Sequence, residues 1–215
     1  MKVIAFATQK GGSGKSTLAT SLAVAAIQAQ EKVFLIEMDR QGTLTNWFDD
    51  REDEEPGLGL SAPKDLGQDL NELKESGVTV TIIDTPGQDS PGVRPAILAA
   101  DLVIVPVQPS PPDIEGCQAT VRTLRQIGKP FLFVLNRVDP RPNSVRTVEA
   151  VEALEASGDV AAIRAGDRKD YQDAFGLGLG AGEFAPGGKA AQEMRKLWDE
   201  VDQRAGKAKK NATAA

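Results

Sequence analysis

Lys10 and Lys15 stand five residues apart in the stretch ATQKGGSGKST, residues 7–17, with glycines 11, 12 and 14 between them. Glycines let a backbone turn its N–H groups inward around an anion, and a helix opening at the end of such a turn adds free N–H groups and its positive dipole end. GSGKST follows an apolar run and opens an amphipathic one, the setting that a phosphate-binding P-loop requires. Gly11, Gly12, Ser13 and Gly14 would cradle phosphate oxygens, and Lys15 would reach the β- and γ-phosphates. The Ser16 hydroxyl would ligate Mg²⁺ and Thr17 would help hold the α-phosphate. The usual loop begins with glycine where this one has Gln9, and it carries Lys10 in addition. Lys15 already serves the nucleotide of its own subunit. A second lysine at the mouth of the loop is placed to neutralise phosphate charge across a dimer interface, as an arginine finger does in trans.

Three further strand ends carry suitable groups. IIDTPG (82–87) ends an apolar run with Asp84, where a Walker-B carboxylate would orient Mg²⁺ or its waters. Gly87 lets the next loop move so that an N–H can sense the γ-phosphate. IEMDRQG (36–42) holds Glu37 and Asp39. The chain has no histidine, so a carboxylate or backbone group must orient an attacking water. Asp39, beyond the strand end and beside the loop, is the better candidate. Glu37 either pairs with a cation or caps the strand. In FLFVLNRVDP (131–140), Asn136 is placed either to read an adenine edge, donating and accepting together, or to cap a loop.

These residues need a scaffold, and the chain supplies an alternation. KVIAFAT (2–8), KVFLIEM (32–38), VTVTIIDT (78–85), DLVIVPV (101–107), PFLFVLN (130–136) and VAAIR (160–164) have the pattern of strands. Several are almost continuously apolar, as parallel strands covered on both faces must be. Between them, 16–30, 91–100, 113–127 and 144–157 repeat apolar residues at helical spacing. The pattern predicts an α/β fold, a doubly wound and mostly parallel sheet flanked by helices. Residues 49–70 read partly as an acidic loop and partly as helix. GLGLGAGEFAPGG (176–188) precedes a last helix over about 189–204, which gives one P-loop ATPase domain over 1–204 and a basic, frayed tail over 205–215.

Bulk composition narrows the function. The 215 residues are 40% hydrophobic with a net charge of −6, and no run reaches the roughly 18 apolar residues of a spanning helix. The start MKVIAFATQ lacks a signal-peptide pattern. One cysteine, Cys117, and no histidine leave no disulfide framework and disfavour a transition-metal site. The expectation is a cytoplasmic protein.

The extra lysine in KGGSGKST, ExD-x-Q, LTNW, IIDTPG, LVIVPVQPSPPD and the LNR strand end together resemble the ParA/MinD family of deviant Walker A ATPases. The likeness covers about residues 1–204 and is greatest to small plasmid-partition ParA proteins without an N-terminal DNA-binding domain. It implies that Lys10 contacts nucleotide in the partner subunit of an ATP sandwich dimer, and that Lys15, Ser16 and Thr17 are the P-loop residues. It further implies that Asp39 is needed for hydrolysis, that Asp84 is the Walker-B acid and that Asn136 reads adenine. Such proteins use ATP and Mg²⁺ and bind double-stranded DNA nonspecifically as ATP dimers. An adaptor protein stimulates their weak hydrolysis, so that a plasmid, chromosome locus or protein complex is positioned over the bacterial nucleoid. Two departures stand out, Arg40 for the usual proline and Glu37 for the usual aspartate.

No helix-turn-helix accompanies this resemblance, so DNA would be held through phosphate contacts by scattered cations. The candidates are Arg137, Arg141, Arg146, Arg164, Arg168, Lys169, Lys189, Arg195 and Lys196, with Lys207, Lys209 and Lys210 of the tail. Met194, Leu197, Trp198 and Val201 form one apolar stripe on the last helix, but neighbouring acids dilute its positive face, so it is expected to pack in the core rather than on a membrane. A membrane-associated positioning ATPase of the same fold and a metabolic ATP-using enzyme are the alternatives.

Overall fold

The computed structural model describes residues 1–87, 90, 92–141 and 144–214. Pro91, where the expected 91–100 helix begins, and Ala215 of the expected tail lie outside them. The strands are β1 (Lys2–Phe6), β2 (Val33–Glu37), β3 (Gly57–Leu60), β4 (Val80–Asp84), β5 (Leu102–Val107) and β6 (Phe131–Leu135). Among the described residues they form one parallel sheet in the order β3-β2-β4-β1-β5-β6. The helices are α1 (Lys15–Gln28), α2 (Thr43–Asp49), α3 (Leu66–Glu75), α4 (Val93–Ala99), α5 (Pro111–Ile127), α6 (Val145–Glu155), α7 (Lys169–Phe175), α8 (Ala181–Phe184) and α9 (Lys189–Ala214). This is the expected doubly wound α/β architecture.

Side chains alternate between the two faces of the sheet, as a period of two demands. Ile4, Phe6, Leu35, Ile82, Ile104 and Val134 pack with α1 and α9. Val3, Ala5, Ile36, Ile83, Val105 and Leu135 pack with α3, α4, α5 and α6. Since both faces are covered, the strands read as unbroken apolar runs. α1 is buried from Leu18 through Ala26, as a helix apolar on nearly every side must be. Burying α1 fixes the loop that precedes it.

Three expectations need adjustment. Residues 160–164 form no strand of the sheet; Val160 makes an isolated bridge to Phe133. Ala161 and Ala165 donate to the Phe133 and Leu135 carbonyls, so this short segment touches β6 at separate points. Conversely, β3 lies inside the ambiguous 49–70 region. Its sequence GLGL carries no β-forming signal, because Gly57 and Gly59 lie under the Phe34 ring, where an added Cβ would come within 2.8 and 3.1 Å of ring carbons. α9 continues past the expected helix end at 204. Ala205 is fully buried and Lys209 donates to the Met1 carbonyl, so the helix stays packed on the sheet there.

The stripe of Met194, Leu197, Trp198 and Val201 is in the core, each residue 3% exposed or less. No helix among the described residues is long and apolar enough to cross a membrane.

Candidate nucleotide site

The register brings Phe6, Glu37 and Asp84 into one row at the carboxyl edge of the sheet, and the glycine-rich loop leaves β1 from that row. Open α/β sheets place their ligand sites at this edge. Gly12 and Gly14 have φ of +75° and +90°, the left-handed region closed to most residues. The amides of Gln108 and Asn136 donate to the Gly12 and Ser13 carbonyls at 2.9 and 2.8 Å. These two ties occupy loop carbonyls and leave the N–H groups of residues 11–17 as the donors the loop can offer an anion. The loop thereby lines a cavity of about 400 Å³ together with Lys15, Ser16, Thr17, Asp39, Gly87 and Arg137.

Gly14 has a second reason to be glycine. An added Cβ would fall 2.2 Å from Asn136 Nδ2, and the left-handed backbone alone costs a side chain about 1–2 kcal/mol. Gly14→Ala is therefore expected to lower the melting temperature and abolish nucleotide binding, as thermal unfolding and calorimetry would show. Unchanged nucleotide affinity would contradict this geometry.

Lys15 is 9% exposed, and burial lowers its pKa against the opposing pull of Asp84 and Asp39. Asp84 is 1% exposed, and burial pushes its pKa up to about 7 although Ser16 and Lys15 both favour the carboxylate. Desolvation thus outweighs the attraction between them. The Ser16 hydroxyl donates to Asp84 Oδ2, while buried Oδ1 has no partner among the described residues. Ser16 lines the cavity and Asp84 lies buried behind it, and an orphaned carboxylate oxygen beside that hydroxyl suits a hard cation and its waters. Gly87 packs close above: an added Cβ would lie 3.6 Å from Lys15 Nζ and 3.9 Å from Gly11 Cα.

The last residue of β2, Glu37, and Asp39 just beyond the strand have separate surroundings. Asp39 lines the cavity and accepts from the Gln41 N–H at 3.0 Å. Glu37 is buried and turned toward α2, whose N-cap residue is Gly42 and has no side chain to offer. Glu37 Oε1 accepts from Leu44 N–H at 2.8 Å, and Oε2 accepts from the Thr45 N–H and hydroxyl at 3.0 and 2.6 Å. A carboxylate from the preceding strand thus caps the helix. Glu37→Gln keeps the volume but loses acceptor capacity and charge, and is expected to cost about 1–3 kcal/mol. Denaturant unfolding checks this, and an unchanged midpoint would contradict it. Arg40 is exposed and is not among the residues lining the cavity.

Lys10 is held outside the cavity. Its stem runs along Gly116 of α5, where an added Cβ would meet Lys10 Cδ at 3.1 Å. Its Nζ lies 3.5 Å from Asp113 Oδ2. Asp113 sits in the first turn of α5, which Ser110 caps.

Asn136 is 6% exposed. Besides its bond to Ser13, its Oδ1 accepts from the Arg137 N–H at 2.9 Å, so its first structural work is to anchor the loop. It also borders a smaller cavity of about 30 Å³ with Gly14, Thr17, Asp167 and Tyr171.

The candidate DNA cations have different surroundings. Arg164, Arg168, Lys189 and Lys196 surround a hollow of about 380 Å³ that also includes Glu193, and Arg168 pairs with Glu193 at 2.6 Å. Arg141 pairs with Asp139 at 2.5 Å, Arg195 donates to the Pro186 carbonyl at 3.1 Å, and Lys169 is exposed at the start of α7. Arg146 borders a groove between α5 and α6. Gln41, Thr43 and Phe175 line the main cavity, although none was singled out from the sequence. Gln41 and Thr43 lie two and four residues after Asp39, whereas no local signal betrays Phe175.

The family model described as the CobQ/CobB/MinD/ParA nucleotide binding domain matches residues 4–167. Maintenance of carboxysome distribution protein A of Gloeobacter kilaueensis is 35% identical over 160 residues, which are 73% of this chain and 72% of that protein. The protein of the same name from Halothiobacillus neapolitanus is 27% identical over 208 residues, covering 92% and 95%. Among solved structures, one from the MinC:MinD cell division protein complex of Aquifex aeolicus matches with a TM-score of 0.78 at 18% identity, covering 94% of this chain and 96% of that one. Apo McdA of Cyanothece gives 0.74 at 19% identity, covering 95% and 99%. At such identities the structural likeness is one of fold.

Proposed function

The chain belongs to the CobQ/CobB/MinD/ParA nucleotide-binding family, and from that premise we propose an ATPase that dimerises on ATP and positions a cargo over DNA. The observation that carries this reading is the division of labour between two lysines, Lys15 inside the phosphate cavity and Lys10 held outside it against Asp113. A cation kept beside a site that already has its own lysine suits a role toward a second copy's nucleotide.

In this reading the N–H groups of residues 11–17 and the Lys15 ammonium hold the phosphates, and Asn136 and its surroundings take the adenine end. Mg²⁺, when bound at Ser16 and Asp84, supplies neutralisation of phosphate charge. Asp39 orients the attacking water. The Gly87 backbone registers the γ-phosphate and so couples hydrolysis to the following loop. Lys10 leaves Asp113 to reach the partner copy's phosphates, completing both sites.

Dimerisation doubles any cationic surface, and because phosphate contacts add, nonspecific DNA binding becomes strong enough only with ATP. Arg164, Lys189 and Lys196, which gather around one hollow, are the best placed contacts. A stimulating adaptor protein would then trigger hydrolysis and release. Two relatives are named for carboxysome distribution, which supports a large protein assembly as cargo over a plasmid or chromosome locus. The buried stripe of α9 disfavours a membrane-surface task. Light scattering on the full chain, with a parallel phosphate-release assay, tests the proposal. A dimer with ATP and a monomer with ADP are expected; a monomer with both would overturn it.

A further inference from the structure

We infer that Arg137 is a nucleotide-binding residue at the nucleoside end of the site, and not one of the DNA contacts among which its sequence context placed it. The inference rests on the nucleotide reading above and adds a residue to it. Arg137 has φ +53°, in the left-handed region that Gly and Asn visit readily and an arginine does not. Such an outlier persists only where the surroundings over-determine it, and it directs attention to function.

The surroundings do over-determine it. On one side, Asn136 N–H donates to the Val107 carbonyl at 2.9 Å, and its amide bridges the Ser13 carbonyl and the Arg137 N–H. On the other side, Val138 N–H donates to the Ala165 carbonyl at 3.0 Å and the Val138 carbonyl accepts from Asp167 N–H at 2.7 Å. The backbone of Arg137 is thus stitched between the phosphate loop and the 165–167 segment. Relaxing its φ would break one of these ties.

The strain sets the side chain at a particular place. Arg137 is exposed and borders both the phosphate cavity and the small cavity beside Gly14 and Thr17. A nucleotide with its terminal phosphates at Lys15 and its α-phosphate at Thr17 must carry its ribose and base outward past Gly14, into the span between these two cavities. A guanidinium there offers a flat cation to the face of the base. Arg137 does not line the hollow that Arg164, Lys189 and Lys196 surround, although Arg168 borders both that hollow and the small cavity.

Arg137→Gly tests this, because glycine relieves the backbone while deleting the guanidinium. The variant is expected to melt at or above the parent's temperature without nucleotide, yet to bind ADP about tenfold more weakly, the loss of one base–cation contact. Arg137→Asn, which also tolerates the left-handed region, should behave alike. ADP affinity within twofold of the parent, with random-sequence duplex binding lost, would overturn the inference in favour of a DNA contact. Unchanged ADP affinity with a lower melting temperature would overturn it in favour of a structural role. Failure of the parent itself to bind ADP would instead refute the nucleotide reading on which the inference rests.

Discussion

Lys10→Ala is expected to bind ADP like the parent, to remain monomeric with ATP, and to lose about a thousandfold or more of the dimer's hydrolysis rate. The magnitude follows from what a cation supplied in trans to a transferring phosphoryl group contributes elsewhere. The separation of effects follows from where the structure puts the side chain. Lys10 is outside the cavity and 3.5 Å from Asp113, so its removal leaves the cis phosphate contacts intact. Its pairing with Asp113 is no obstacle to the transfer: Lys10 is 35% exposed, and such ion pairs contribute about 1 kcal/mol at most. Light scattering, ADP calorimetry and phosphate release read the three effects separately. A Lys10→Ala protein that dimerises and hydrolyses normally would remove the in-trans role.

Asp84→Asn is expected to have opposite effects on stability and on function. In magnesium-free, nucleotide-free buffer at pH 8, the parent holds a buried carboxylate whose pKa has risen from 3.8 to about 7. The folded state therefore binds this proton more tightly than the unfolded chain does. The resulting stabilisation is complete below 3.8, declines as pH rises toward 7, and is lost above that. Asparagine carries no such charge, so the variant should be more stable than the parent at pH 8 by an amount on the order of 2–4 kcal/mol. The advantage should shrink as pH falls toward 4. Lys15, Glu37 and Asp39 also face this carboxyl; the first lowers its pKa and the other two raise it. In the same variant, Mg²⁺ should no longer enhance ATP binding. Chemical denaturation from pH 4 to 8, with chelator present, gives the test. A variant less stable than the parent at both ends would show that the carboxylate is held by attraction rather than strained by burial.

The sequence made some of this architecture visible for a simple reason. Parallel strands buried on two faces have no polar face, so β1, β2, β4, β5 and β6 stand out as apolar runs. The phosphate loop was equally legible, since its glycines, lysine and hydroxyls are contiguous. β3 was not, because its glycines answer to the Phe34 ring on the neighbouring strand, a tertiary demand that no local pattern expresses. The same holds for Glu37, whose helix-capping role needs a turn of chain to return to it. Asn136 reads as a site residue from its place at a strand end, but its bond to Ser13 spans 123 positions and leaves no local signal. Arg137 looked like one more surface cation because a dihedral angle leaves no trace in residue type.

The decisive measurement is binding to random-sequence duplex DNA, compared with ATP and with ADP at two salt concentrations. Binding is expected with ATP alone, weakening steeply as salt rises. An ATP dimer that forms fully and yet binds no DNA in either nucleotide state would contradict the proposed function.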